Sequence, residues 1–191
     1  MCRWRTAQNY LAGLVLGDGT LYYYRKSGNY YIEIYDNNRE FLENVGKELK
    51  TALKVKYWIT KPSKHNYYRL RVSGRELYER IKTLIDKRLK SPTKGFVRGL
   101  VDAEGTLYVD KKGKIALEIA NKRYNVIKAI SMFLKRKDIH YTITKHSGKK
   151  SVIYKVRIRG WKNVEKTLNE IKPKHPKIIK KYAKLKTTYL H

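Results

Sequence analysis

Leu11-Ala12-Gly13-Leu14-Val15-Leu16-Gly17-Asp18-Gly19 returns 86 residues later as Val97-Arg98-Gly99-Leu100-Val101-Asp102-Ala103-Glu104-Gly105. The likeness runs outward from both stretches: residues 10–23 (YLAGLVLGDGTLYY) match residues 96–109 (FVRGLVDAEGTLYV). Downstream, Glu33-Ile34 matches Glu118-Ile119, residues 57–61 (YWITK) match 141–145 (YTITK), and residues 68–74 (YRLRVSG) match 154–160 (YKVRIRG), at offsets of 84 to 86. Two copies of that length are not a solenoid. They imply a duplicated half-domain folded around a pseudo-twofold axis.

Each copy reads as helix, hairpin, helix, hairpin, helix. Ser91 and Pro92 form an N-cap and first helical position for the second motif helix, and Gly105 stops it. A strand over 106–110 turns at 111–113 and returns over 114–121, with Ile115, Leu117 and Ile119 on one face. The first copy repeats this with strands over 20–25 and 30–35. Helical periodicity covers 39–53, 75–89, 124–137 and 162–171, and residues 176–190 form a basic extra helix or arm. Residues 87–94 are short and charged, so the halves, residues 1–90 and 91–191, dock tightly without a linker.

The 191 residues carry 45 Lys plus Arg against 16 Asp plus Glu, a formal net charge of +29. The first 95 residues hold 20 basic and 9 acidic side chains and the remainder 25 and 7, so the charge is spread over both copies. A domain so basic repels itself, and nucleic acid is the leading compensating partner ahead of an anionic membrane surface. With 41% apolar residues and 17 Tyr the chain can build a core, which excludes a disordered basic tail. No run approaches the roughly 20 apolar residues of a membrane span. Arg3 and Arg5 ahead of a short apolar stretch lack the length and cleavage site of a secretory peptide. The single Cys2 makes no intrachain disulfide and no zinc-type Cys/His cluster is present, so a reducing compartment is expected: cytoplasm, nucleoid or organellar matrix.

Small residues four apart, Gly13 and Gly17, then Gly99 and Ala103, lie on one helix face and let two backbones approach closely. Ordinary packing accounts for that much. It does not account for Asp18 and Glu104 at helix C-termini, where the macrodipole disfavours a carboxylate by about 0.3–1 kcal/mol. Parallel packing brings both acids to the same end, where they repel unless a cation lies between them. Hard oxygen ligands select Mg²⁺ or a similar divalent ion, which activates water and stabilises a leaving oxygen in phosphodiester cleavage.

The two nine-residue stretches resemble the paired signature motifs of single-chain LAGLIDADG homing endonucleases, and the resemblance spans essentially the whole chain. It implies an α+β fold of two pseudo-symmetric αββαββα half-domains, with antiparallel β-saddles and the motif helices packed at the pseudo-twofold axis. It implies a monomeric, intron-encoded enzyme that cuts both strands of a long asymmetric DNA site across the minor groove, leaves 3′ overhangs and uses Mg²⁺ or another divalent ion such as Mn²⁺. By resemblance Asp18 and Glu104 bind metal, and the carbonyls of Gly17 and Ala103 complete the coordination. Asp102 stands where the other copy has Leu16 and is read as structural. The family often places a polar residue and a Lys after the second strand. Asn121-Lys122 fits this as catalytic support. The aligned pair Asp36-Asn37 keeps Asp36 as the polar catalytic candidate but has no Lys, leaving the two strands cut with unequal help or another base such as Arg39 as substitute.

The second hairpins alternate Leu70 and Val72 against Arg69, Arg71 and Ser73, and Val156 and Ile158 against Lys155, Arg157 and Arg159. A solvated face is the common meaning of such alternation. Here that face is cationic, suited to guanine edges in the major groove and to phosphates. Tyr22, Tyr24, Tyr31, Glu33, Tyr35 and Tyr108 of the first hairpins are expected to add DNA contacts. Lys26, Lys64, His65, Lys111, Lys112, His146, Lys149 and Lys150 mark hairpin tips, as phosphate contacts or solvated charge. Residues 148–151 (GKKS) lack the upstream glycine of a phosphate loop and form a turn. An intron maturase that binds intron RNA is the alternative, and a DNA-binding regulator with a dead centre is disfavoured by the two acids. An intein is not expected, since the repeat fills the chain.

Overall fold

The computed structural model describes residues 3–63, 65–148 and 151–189. Cys2, the expected tip residues Lys64, Lys149 and Lys150, and Leu190 at the expected end of the last helix lie outside the described residues. The first half runs α1 (Arg3–Asp18), β1 (Gly19–Tyr24), β2 (Asn29–Asp36), α2 (Arg39–Leu53), β3 (Tyr57–Thr60), β4 (Tyr68–Ser73) and α3 (Arg75–Lys90). The second repeats it as α4 (Lys94–Glu104), β5 (Gly105–Val109), β6 (Ile115–Asn121), α5 (Tyr124–Arg136), β7 (Thr142–Ser147), β8 (Val152–Arg159) and α6 (Trp161–Ile171), followed by α7 (Pro176–Tyr189). The two hairpins of each half merge into one antiparallel sheet, ordered β1-β2-β4-β3 and β5-β6-β8-β7. The α+β duplication expected from the repeat is the observed architecture.

Strand alternation decides which sheet face the helices cover. Ile32 pairs with Val72 and Ile34 with Leu70, and in the second half Leu117 pairs with Ile158 and Ile119 with Val156; all eight are buried. Phe41, Leu42, Val45 and Leu49 of α2 and Val126, Ile127, Ile130 and Leu134 of α5 belong to the same core. The opposite sheet faces carry the polar set.

The centre of the molecule is the α1–α4 pair. A Cβ at Gly13 would lie 2.1 Å from the Phe96 carbonyl oxygen, one at Gly99 2.3 Å from that of Tyr10, and one at Gly17 2.4 Å from the Ala103 Cβ. The contacts advance together along both helices, so they run parallel and end side by side. One local expectation is corrected. Thr93, not Ser91, caps α4, its hydroxyl accepting from the Phe96 amide, while Ser91 closes α3. Gly105 stops α4 as expected, in extended backbone that passes directly into β5, where a Cβ would lie 2.3 Å from the Val101 carbonyl oxygen.

Candidate active site and nucleic-acid interface

Parallel packing delivers Asp18 and Glu104 to one end of the helix pair, as the last residues of α1 and α4. Both carboxyls are pushed above the usual carboxylate range, first by partial burial. Asp18 raises Glu104 further, Asp36 raises Asp18, and the Lys177 ammonium pulls both back down. This is an acid pair whose charge is incompletely compensated, the condition that a divalent cation relieves.

The flanks of the pair begin alike and then diverge. At the end of β6, Asn121 accepts the Arg123 amide through Oδ1 at 2.9 Å and donates from Nδ2 to Glu104 at 2.8 Å. At the end of β2, Asp36 accepts the Asn38 amide through Oδ1 at 2.7 Å. Its second oxygen has no proton to give Asp18 and instead meets His175 Nε2 at 2.9 Å. The His175 Nδ1 accepts the Lys177 amide at 3.0 Å, which places the ring proton on Nε2 as donor to Asp36. Burial pushes Asp36 up, yet the bonds from His175 and Asn38 and the Lys177 charge outweigh it and hold the carboxyl below its ordinary value. Asp36 is therefore a buried anchor beside Asp18. Lys122 lines a cavity of about 400 Å³ with Leu16, Gly17, Glu104 and Asn121. Arg39, the expected substitute base, is engaged with Glu43 at 2.8 Å on the exposed start of α2.

Sequence reasoning missed the segment between α6 and α7. Asp102, fully buried, accepts the Tyr10 hydroxyl at 2.8 Å and the amides of Lys174 and His175 at 2.9 and 3.1 Å. Lys174 also meets Glu48, and Lys177 Nζ donates to the Ala103 carbonyl at 2.6 Å. The only sequence signal was an acid, Asp102, at a core position where the other copy has Leu16. Asp102→Ala leaves those donors without an acceptor, a loss of about 1–3 kcal/mol. It is expected to free the segment, read as faster limited proteolysis at the Lys172–Lys177 stretch than in the unaltered protein.

The outer sheet faces carry nearly every predicted DNA-binding side chain in one register. Tyr22 lies opposite Tyr31, which faces Ser73; Tyr35 faces Arg69, and Tyr24 shares their face. Tyr108, Lys155, Arg157 and Arg159 share the corresponding face of the second sheet. Glu33, expected among the DNA contacts, is 4% exposed, and its carboxylate takes Arg71 at 2.6 Å, the Tyr35 hydroxyl at 2.5 Å and Arg69 at 3.6 Å. Glu118 repeats the device with Lys155 at 2.9 Å, Arg157 at 2.5 Å and the Tyr108 hydroxyl at 3.2 Å. Burial raises Glu118, but the bonds from Lys155 and Arg157 outweigh it and hold the carboxyl low. A central acid on each face thus fixes the arginine forks in advance. Trp58, 48% exposed opposite Arg71, adds an aromatic surface that the sequence reading passed over. Arg157→Ala is expected to weaken duplex binding and lower the slope of log affinity against log salt by about one. Titrations over a salt series measure it.

The donor set fits a hard divalent cation on chemistry alone: two carboxylates stand at the ends of the paired helices, each within the other helix end's reach through the Asp18–Glu104 interaction. Among the described residues no group of three His, Cys, Asp or Glu side chains forms a complete ligand set. Further oxygens must come from water or a phosphate, as suits an ion that acts on phosphodiesters. The Ala103 carbonyl, the other expected ligand, accepts from Lys177 Nζ at 2.6 Å. Among the described residues no helix is long and apolar enough to cross a membrane.

Comparison with known proteins agrees with this architecture. The LAGLIDADG-like domain matches residues 6–86 and again residues 91–172. An uncharacterised protein of Methanocaldococcus jannaschii is 31% identical over 147 residues, covering 74% of this chain and 52% of that protein, so the chain spans about half the length of that relative. The homing endonuclease I-ApeI of Aeropyrum pernix is 24% identical over 195 residues, covering 92% of this chain and 85% of that protein. The solved structure of I-DmoI in complex with DNA and Mn superposes with a TM-score of 0.73, covering 90% of this chain and 99% of that one at 24% identity, a likeness of fold.

Proposed function

Since the chain belongs to the family of LAGLIDADG-like domain proteins, with two such domains in tandem, we propose that it is a site-specific double-strand DNA homing endonuclease that works with a divalent cation. The observation that carries the reading is the incompletely compensated pair Asp18 and Glu104 at the ends of two parallel helices, set between two sheets whose outer faces are cationic. The homing-endonuclease name of the Aeropyrum relative and the DNA- and Mn-bound state of I-DmoI support it.

In this reading the sheets grip duplex DNA as a monomer. Arg69 and Arg71 from one half, and Lys155, Arg157 and Arg159 from the other, contact base edges and phosphates. Because the two faces differ in sequence, the site is long and asymmetric. The helix ends face the minor groove between the sheets, and cutting one phosphate per strand there leaves 3′ overhangs. Asp18 and Glu104, with the Gly17 carbonyl, hold Mg²⁺ or another divalent ion such as Mn²⁺. When bound, the ion activates water and stabilises the leaving oxygen. Asn121 orients Glu104, and Lys122 reaches toward one scissile phosphate.

The test is duplex DNA spanning the joined, intron-free exons of the host gene, incubated with the protein and Mg²⁺, Mn²⁺ or EDTA. Cutting of both strands at one site with either ion, and none in EDTA, is the expected result. Persistent failure across salt and temperature, with intron RNA bound instead, overturns the reading in favour of a maturase.

A further inference from the structure

The pseudo-twofold relates two flanks of the acid pair, and only one of them is left open. On the second half's side, Leu16 and Gly17 of α1 face Glu104, Asn121 and Lys122 across the cavity of about 400 Å³. The repeat maps these onto Asp102, Ala103, Asp18, Asp36 and Asn37. At that second place the chain has inserted its own C-terminal segment. Asp102 holds the amides of Lys174 and His175, Asp36 holds the His175 ring, and Lys177 Nζ sits 2.6 Å from the Ala103 carbonyl, within the field of Asp18, Asp36 and Glu104. Asn37 stands where Lys122 stands and carries no charge, and Arg39 lies out on the exposed start of α2 beside Glu43. The cation missing from the first repeat thus arrives from outside the repeat.

We propose that Lys177 is the catalytic cation of the first half, contacting the scissile phosphate on its side as Lys122 does on the other; this rests on the nuclease reading above. Lys177 is an exposed residue at the start of α7, so a phosphate approaching the cleft can meet its ammonium. Asp102, Asp36 and His175 are positioning residues that fix where α7 begins. Hydrolysis joins a water oxygen to phosphorus and releases one sugar oxygen, which takes up the water's proton. Lys177 supplies only charge and hydrogen bonds to the phosphate oxygens.

The experiment uses the full chain and a duplex carrying a different label on each strand. Lys177→Met is expected to slow cutting of one strand by at least about 10²-fold and accumulate a nick in the other. Lys122→Met should give the opposite strand preference, and Lys177→Arg should restore most of the lost rate. In EDTA, where nothing is cut, a neutral methylphosphonate at one scissile position should weaken binding by the unaltered protein but not by Lys177→Met. An unchanged melting temperature identifies these as effects on the phosphate and not on the fold. Equal slowing of both strands, or an unaltered strand ratio with the original protein still cutting, overturns the role of Lys177 alone. Failure of the original protein to cut any duplex overturns the nuclease reading and this proposal together.

Discussion

Asp18→Asn and Glu104→Gln are each expected to remove double-strand cutting by on the order of 10³-fold or more, the scale of losing a single electrostatic group at a reacting centre. Duplex affinity measured with Ca²⁺ should stay within a few-fold, because in the proposed reading the groove contacts are made by the sheets and not by the helix ends. The amides preserve shape, so no cavity opens. The folded carboxyls lie above the usual carboxylate range. For an acid with a raised folded pKa the folded state binds protons more readily than the unfolded chain, so the charge is a penalty at every pH above the unfolded value of roughly 4. Removing it should leave the melting temperature unchanged or higher at pH 7, while cutting disappears. A protein that loses activity and gains stability from one substitution is holding that charge for chemistry. Binding that falls in proportion to cutting would sink these assignments.

Gly13→Val and Gly99→Val are expected to have the largest effect on folding. Even Ala is too large without a shift: its Cβ would lie 2.1 Å from the Phe96 carbonyl oxygen at Gly13 and 2.3 Å from the Tyr10 carbonyl oxygen at Gly99. Those are backbone atoms of the facing helix, which yield only if the helices separate. Alanine's better helix propensity offers about 1 kcal/mol in return. Overpacking of a tight core costs about 1–3 kcal/mol and at times more, and at this size each kcal/mol lowers Tm by roughly 2–4 °C. The Ala variants should melt several degrees lower, and the Val variants should fail to fold or melt far lower still. Any folded Ala variant has its helix ends spread, and with them Asp18 and Glu104, so its cutting should fall further than its stability. Thermal melts beside cutting assays on the same preparations measure both. An Ala variant of unchanged Tm would show that the helices do not meet at these glycines.

How much was legible in the sequence varied with how local the cause was. Strand periodicity placed Leu70, Val72, Val156 and Ile158 inward and the arginines outward, because a pleated strand allows no other arrangement once one face is covered. The glycine spacing foretold the helix contact for the same kind of reason. The α4 cap was misjudged by two residues, since Ser91 and Thr93 both offer a hydroxyl and only the path of the chain out of α3 chooses between them. Glu33 reads in the sequence as one more polar residue of an outward face. The arginine forks over it and over Glu118 come from β2–β4 and β6–β8 pairing, which sets each acid opposite Arg71 and Arg157.

By itself the sequence determined the duplication and the paired position of the two acids, legible in a direct repeat at offsets of 84 to 86, and the direction of each strand face, legible in alternation within a few residues. Tertiary structure alone decided what surrounds those acids. The segment carrying Lys174, His175 and Lys177 lies some 70 residues beyond Asp102 and 140 beyond Asp36 along the chain, and has no counterpart in the first copy. No periodicity links residues so far apart. A buried carboxylate must find donors when the chain closes, and here it found them in a segment whose sequence reads only as basic.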